Sequence, residues 1–411
     1  MSTSATYDLI IVGGGMVGAS LAISLAHSGL KLALIEAYTP GADSQPSYDD
    51  RAIALAYGTR RIFEATGVWP SLDGVAEPIQ DIHVSDRGHF GFTRLSAADE
   101  GVPALGHVVT ARELGRVLLD RMRQDTSLDV IAPARVVSFD DQGGDVRVEV
   151  ERDGLMSSLK CRLLVAADGG SSAIREQLDV PVQRWEYGQS AVVTNISPAQ
   201  PHGNVAYERF TDTGPVALLP MSEQRCAVVW TVRDEQVDAV LALDDDDFLS
   251  AFQARFGYRL GRFLRVGKRA AYPLSLLRAR KSVSGRVAII GNAAHTLHPI
   301  AGQGFNLGIR DVAALAEVVD SAFRAGTDIG AAETLAVYEG WRAAEQRNVA
   351  LATDGLARLF SNPLAPVRLG RNLGLLAMEF LPGAKHPLAR AAMGMLGRQP
   401  RLARGVPLGR S

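Results

Sequence analysis

The sequence predicts an α/β protein, α+β overall, with a parallel-sheet core, an inserted antiparallel sheet and a helical C-terminal region. Three observations carry this expectation. Apolar runs at Asp8 to Val12, Lys31 to Ile35, Leu163 to Ala167 and Val287 to Ile290 are continuous rather than alternating, as in strands buried on both faces. Between about Tyr187 and Val232, the segments FTDTGPVALLPM and RCAVVWTV alternate and carry turn signals, the pattern of antiparallel strands. From Leu356 onward, LARLF, LGLLAMEFL and AAMGML alternate with Arg and Lys, an amphipathic helical pattern.

With 411 residues, the chain has room for two or three structural units at roughly 150 residues per domain. A composition 47% hydrophobic and 21% charged excludes a mainly disordered chain. A net charge of −2 argues against a nucleic-acid binder. Cys161 and Cys226 are too few and too far apart for a disulfide framework or a Cys-rich metal site. No apolar run approaches the roughly 18 residues of a membrane span. The N-terminal MSTSATYDLIIVGGG has no basic leader region and runs into a core strand, so a cytoplasmic protein is expected.

The first element carries the strongest motif. Gly13-Gly14-Gly15-Met16-Val17-Gly18 follows the strand and opens the helical pattern Met16 to His27, and Glu36 ends the next strand 23 residues after Gly13. Gly13 permits the tight turn, Gly15 lets the backbone approach a pyrophosphate, and Gly18 allows helix and strand to pack closely. The helix N-terminus stabilises phosphate, and Glu36 accepts hydrogen bonds from a ribose diol. An acid there selects an adenosine without a 2′-phosphate, FAD or NAD. The core is therefore Rossmann-like.

Two later segments distinguish FAD from NAD. Ala166-Ala167-Asp168-Gly169-Gly170-Ser171-Ser172-Ala173-Ile174-Arg175 leaves a strand and enters a helix. Gly285 to Pro299 continues as Ile300-Ala301-Gly302-Gln303-Gly304-Phe305-Asn306-Leu307-Gly308 and then IRDVAALAEVV, an amphipathic helix. Glycines at 302, 304 and 308 let backbone N–H groups approach a flat ring, and the positive end of the following helix would stabilise negative charge there. The three fingerprints G-x-G-x-x-G at 13–18, D-G-x-x-S-x-x-R at 168–175 and the loop at 291–308 occur in order. With them the chain resembles flavoprotein aromatic hydroxylases of the para-hydroxybenzoate hydroxylase type. TLHPIAGQGFNLG and Asp50-Arg51-Ala52-Ile53-Ala54-Leu55 narrow the resemblance to the ubiquinone-biosynthesis hydroxylase family. The similarity covers about residues 7–355.

That resemblance implies an FAD-dependent monooxygenase that uses NAD(P)H and O2 to hydroxylate a polyprenylated phenol in ubiquinone biosynthesis. The same motifs would serve a sister hydroxylase acting at another ring position, a same-fold flavin reductase or a non-enzymatic flavin-bearing scaffold. The implied cofactor-binding residues are Gly13, Gly15, Gly18, Glu36, Arg51, Arg112, Asp168, Gly291, Asn292, Gly304, Phe305 and Asn306. The implied flavin loop adds Pro299, Gly302 and Gln303. Asn292 stands where the family usually carries Asp. Arg51 also reads, less strongly, as an ion pair with Asp49 or Asp50, Arg112 equally as a solvent-facing helix residue, and Asp168 alone as a helix cap. His295 and His298 read as packing residues, and no residue is assigned as acid or base. No metal is expected.

The implied domains are a discontinuous FAD-binding unit at 1–75, 103–178 and 268–355, a substrate unit at 76–102 and 179–267, and a basic amphipathic region at 356–411. The acidic run Asp244 to Asp247 reads as a helix start. The last region holds nine basic residues and one acid, Glu379, a net of +8 against −10 for the rest of the chain. It suits either a membrane surface, here the inner face of the cytoplasmic membrane, or packing on the protein's own core. Other ubiquinone-biosynthesis proteins and a second copy of the chain are compatible partners.

Overall fold

The computed structural model describes residues 5–39, 41, 49–297, 300–362 and 364–409. Its core is a sheet in the order Val283–Ser284, Val287–Ile289, Leu155–Ala166, Ala5–Val12, Leu32–Ile35, Leu128–Ile131. The last five strands of that order pair in parallel. Successive residues of the central strand face opposite sides, and both sides are buried. Leu9 and Ile11 join a cluster under the helices Met16–Leu25, Ala111–Arg123 and Gln303–Arg324, whereas Ile10 and Val12 face Val146, Val148 and Val150 of an antiparallel ribbon. Double burial is why these strands read as unbroken apolar runs.

The second sheet has nine strands and mostly antiparallel pairing. It extends beyond the alternating segment seen in the sequence. Val182–Pro198 pairs with Ala270–Ala279, and Asp81–Asp86 adds an edge hairpin with Phe92–Ser96. That hairpin joins Val205–Thr211 in parallel, a departure from the purely antiparallel expectation. The reason is topological: the chain passes through the parallel core between residues 96 and 182, a crossover long enough to return in the same direction.

The two faces of this sheet do different jobs. Val216, Leu218, Val228 and Trp230 pack on Phe248, Phe252 and Phe256, which recur every fourth residue along the helix Asp245–Phe256. Asp244 caps that helix by accepting the Asp247 N–H at 2.8 Å, so the acidic run is a helix start. The intervening Ala217, Leu219 and Val229 face the opposite side and line a cavity.

The helix expected to begin after residue 308 begins at Gln303, with Gly302 in the left-handed conformation at its N-cap. Gly304 and Gly308 lie inside it. The helices Ala332–Ser361, Ala365–Phe380 and Pro382–Ala392 follow. The C-terminal region is no detachable tail: Leu402, Ala403 and Leu408 belong to the main core cluster. Among the described residues, no helix is long and apolar enough to cross a membrane.

A buried polar cluster ties these parts together. Asp311, fully buried, accepts from Gln346 at 2.9 Å and Arg342 at 2.8 Å on one oxygen. The other oxygen accepts from the Gly291 N–H at 3.2 Å and His295 at 2.6 Å. Burial alone would raise the Asp311 carboxyl, but His295 and Arg342 more than reverse this and hold it well below the usual carboxylate range.

Asp311→Ala should therefore lose about 3 kcal/mol, the low end for a broken buried pair, because Arg342 loses one carboxylate and keeps Glu345. Urea denaturation of wild type and variant measures the difference. A depressed folded-state pKa gives stability that is present above the ordinary value of 3.8 and lost as the pH falls through the folded value. The gap between wild type and Asp311→Asn should accordingly shrink between about pH 6 and about pH 3.

Candidate active site

The turn after the first strand is built by steric necessity. Gly13 has φ +105°, and a Cβ there would lie 2.4 Å from the Ala167 carbonyl oxygen. A Cβ on Gly18 would lie 1.9 Å from the Gly13 carbonyl oxygen. The turn thus packs directly against the end of the strand Leu155–Ala166. Gly15 is the N-cap of the first helix and supplies no side-chain cap, and no acid occupies the first turn. Its first N–H groups are left for an anion.

Glu36 reaches this turn. Its carboxylate accepts from the Gly14 N–H at 2.5 Å and from the Tyr38 N–H at 2.9 Å. From the other side comes Asp168. One of its oxygens accepts from the Ile174 N–H at 3.2 Å. The other is buried and has no partner among the described residues. Burial raises the carboxyl, against hydrogen bonds from Ser172 and the backbone that lower it. Ser172, not Asp168, is the N-cap of the helix Ala173–Gln177.

Arg175 clamps the two later motifs together. It is buried, and its guanidinium donates to the Ala293 carbonyl at 2.9 Å and the Gly170 carbonyl at 3.0 Å. Gly291 has φ +59°, and a Cβ there would press on Val17 at 2.9 Å. A Cβ on Gly308 would lie 3.2 Å from Gly291. The helix Gln303–Arg324 is thereby seated on the 291 turn and the first helix at once. Asn292 is exposed beside this turn. Pro299 and His298 lie outside the described residues.

Three expected cofactor residues have protein partners. The Asn306 amide donates to the Ala54 and Gly302 carbonyls, and its oxygen accepts from the Ala56 N–H and the Thr59 hydroxyl. All its side-chain capacity is used in fixing the strand Ala52–Ala56 to the helix. Arg51 Nε lies 2.6 Å from Asp49, with its guanidinium over the Tyr272 ring. Arg112 donates to Asp50 at 2.9 Å. Both arginines are partly exposed, so both show the ion-pair geometry that the sequence also allowed. Phe305 packs on the main core cluster. A Cβ on Gly304, by contrast, would meet nothing within 4 Å.

An apolar cavity of about 860 Å³ adjoins this loop. Gly302 and Gln303 form part of its wall, and Ala54, Leu219 and Val229 form another part. Residues far along the chain close it: Leu356, Phe360, Leu375 and Met378. Gln303 ties the loop to the last helices by donating to the Ala392 carbonyl at 3.2 Å. Sequence reading missed Asp311, Arg342 and this C-terminal wall. The signal available for Asp311 was an acid on the apolar side of IRDVAALAEVV.

The residues present suit a flavin dinucleotide. The uncapped first helix would meet the pyrophosphate, Glu36 the ribose, and the unpartnered Asp168 oxygen a donor on the bound group. The open space at Gly304 leaves room for a flat ring.

Comparison with known proteins agrees. Residues 6–349 match the family model described as FAD binding domain. The chain is 39% identical to the ubiquinone hydroxylase UbiL of Rhodospirillum rubrum over 98% of its length and 93% of that protein's. It is 30% identical to the 3-demethoxyubiquinol 3-hydroxylase of Escherichia coli over 96% and 100% of the two chains. Among solved structures, p-nitrophenol 4-monooxygenase from Pseudomonas putida superposes with a TM-score of 0.79, covering 96% of this chain and all of that one, at 17% identity.

Gly18→Ala should abolish FAD retention, since its methyl group has no room beside Gly13. Glu36→Ala should weaken FAD by ~1–3 kcal/mol, the loss of a charged hydrogen-bond acceptor. Flavin fluorescence titration of the reconstituted apoprotein reads both. An unchanged affinity in Glu36→Ala would remove the ribose role.

Proposed function

As the chain belongs to the FAD-binding family that includes the ubiquinone-biosynthesis hydroxylases, we propose that it hydroxylates the ring of a polyprenylated phenol. The resemblance of its motifs to 2-octaprenyl-6-methoxyphenol hydroxylase makes 2-octaprenyl-6-methoxyphenol the proposed substrate. The observation that carries this reading is the apolar cavity meeting the loop at Gly302 and Gln303. A mainly carbon-lined chamber suits a prenylated ring and excludes water from the reacting centre.

The chain's own residues bind, orient and shield. Gly13, Gly15 and Gly18 with the first helix hold the pyrophosphate, and Glu36 takes the ribose. Arg51 and Arg112 sit in partly exposed ion pairs of a kind worth about 0–1 kcal/mol, so either can turn to a phosphate at little cost. Asp168 offers its unpartnered oxygen. The helix starting at Gln303 directs its positive end at the loop and favours negative charge there. FAD, when bound, would supply the redox chemistry: two electrons from NAD(P)H reduce O2, one oxygen atom of which enters the ring while the other leaves as water.

The outer side of the helix Ala365–Phe380 supports contact with a membrane's inner face. Leu369, Leu373 and Phe380 are exposed along one stripe, beside exposed Arg368. Glu379 is the acid of this region and is neutralised by Arg94 and Lys385. Apolar groups flanked by an exposed base suit anionic lipid.

Two measurements test these readings. Turnover under isotopically labelled O2 should place one labelled atom in the ring of the prenylphenol product. Label confined to water or peroxide with every prenylphenol tried would favour the flavin reductase of the same fold. The double substitution Leu369→Glu, Leu373→Glu should reduce sedimentation with anionic vesicles at low salt while FAD stays bound. Equal sedimentation of variant and wild type would remove the membrane contact.

A further inference from the structure

We propose that the substrate's isoprenoid chain leaves the cavity through its wall at Gly370 and Gly374, between the helices Ala332–Ser361 and Ala365–Phe380. This rests on the prenylphenol reading and adds the route of the chain. At about 30 Å³ per heavy atom, the share of a water molecule in the liquid, a cavity of about 860 Å³ holds roughly thirty heavy atoms. A ring with a short chain fits. An octaprenyl chain of about forty carbons does not, so about half of it must project through the wall.

Gly370 and Gly374 mark where. Both line the cavity and neither is covered by a neighbouring side chain. A Cβ at either would meet nothing within 4 Å, so close packing does not demand glycine. Glycine within a helix costs roughly 1 kcal/mol relative to alanine. What the pair provides is a gap one side chain deep and two helical neighbours long. Leu359 lines the cavity and is 40% exposed at the same seam, and Leu369 and Leu373 lie exposed on the outer side. An apolar path therefore continues from inside to outside.

Thr93 borders the cavity but is fully buried, and its hydroxyl has no partner among the described residues. The helix beside the gap is rigidly held. Asn372 accepts from the Gly91 N–H and donates to Asp86, each at 2.8 Å. Arg371 donates to Asp86 at 2.8 Å and to the carbonyls of Leu359, Phe360 and Asn362. The guanidinium at the gap is thus already satisfied, and the opening is fixed.

The test titrates the FAD-loaded protein with 2-geranylphenol, which the cavity can enclose, and with 2-octaprenylphenol, which it cannot. Both are in the same detergent, with flavin absorbance as the readout. Gly370→Leu and Gly374→Leu fill open space in a helix and favour it, so the variants should fold. Each should weaken the octaprenyl compound by about tenfold or more and the geranyl compound by less than about twofold. Equal effects on the two probes, or none on either, would overturn the exit, as would a wild type that binds only the short chain or neither. Chain-length-dependent weakening without any hydroxylation would leave the exit standing and remove only the monooxygenase reading.

Discussion

The Asp311 carboxylate is the constraint on which the site depends. It lies on the helix Gln303–Arg324, yet its partners come from three other places: the Gly291 turn, His295, and the helix carrying Arg342 and Gln346. Four donors converge on two oxygens in a region without water access. The partners fix three different segments, so the Gly291 turn cannot shift without breaking its bond to this carboxylate. Buried ionic groups are poor sources of net stability but good at specifying one arrangement. Here the arrangement specified is the seating of the 291 turn on Val17, which in turn touches the glycine-rich beginning of the chain.

From that seam the rest of the site follows by packing. The first helix, the 291 turn and the helix at Gln303 meet through glycines because backbone has to touch backbone. The second sheet then presents Ala217, Leu219 and Val229 to the cavity and Val216, Leu218, Val228 and Trp230 to the helix of phenylalanines. Strand alternation alone sorts these two sets. The cavity exists because one face of the sheet is filled by aromatic rings while the other is left short of volume.

Local features were legible in the sequence, and long-range partnerships were not. The turn at Gly13 to Gly18 and Glu36 depends on neighbours within one strand–helix–strand unit, so spacing alone located it. The acidic run at Asp244 was legible for the same reason, since an N-cap is satisfied within three residues. The start of the helix at Gln303 was misplaced because Gly304 and Gly308 lower local helix propensity. Tertiary packing on Gly291 and the bonds of Asn306 to the strand Ala52–Ala56 override that deficit. Arg51 and Arg112 were ambiguous in the sequence because the same side chains can pair with adjacent carboxylates, and in the structure they do. The C-terminal region read as a basic amphipathic segment. Nothing in its pattern showed that Leu375 and Met378 meet the sheet, or that Leu402 and Leu408 enter the main core.

The C-terminal helices answer a physical problem that the first 355 residues leave open. A sheet face lined by Ala217, Leu219 and Val229 cannot remain in water without cost, at roughly 25 cal/mol per Å² of apolar surface. Covering it fully would destroy the chamber. The helix Ala365–Phe380 covers it while touching the sheet mainly through one flank, where Asp86, Arg371 and Asn372 form a second buried polar seam. A polar seam therefore lies at one edge of the cavity, where Arg371 of its wall donates to Asp86, and the rest of the wall is mainly carbon. Orientation is fixed at the seam by hydrogen bonds whose geometry is narrow, and the remaining space is left to an apolar occupant whose contacts are not directional. A chamber built this way holds its shape without contents, which is what a site for a long, flexible and featureless chain requires.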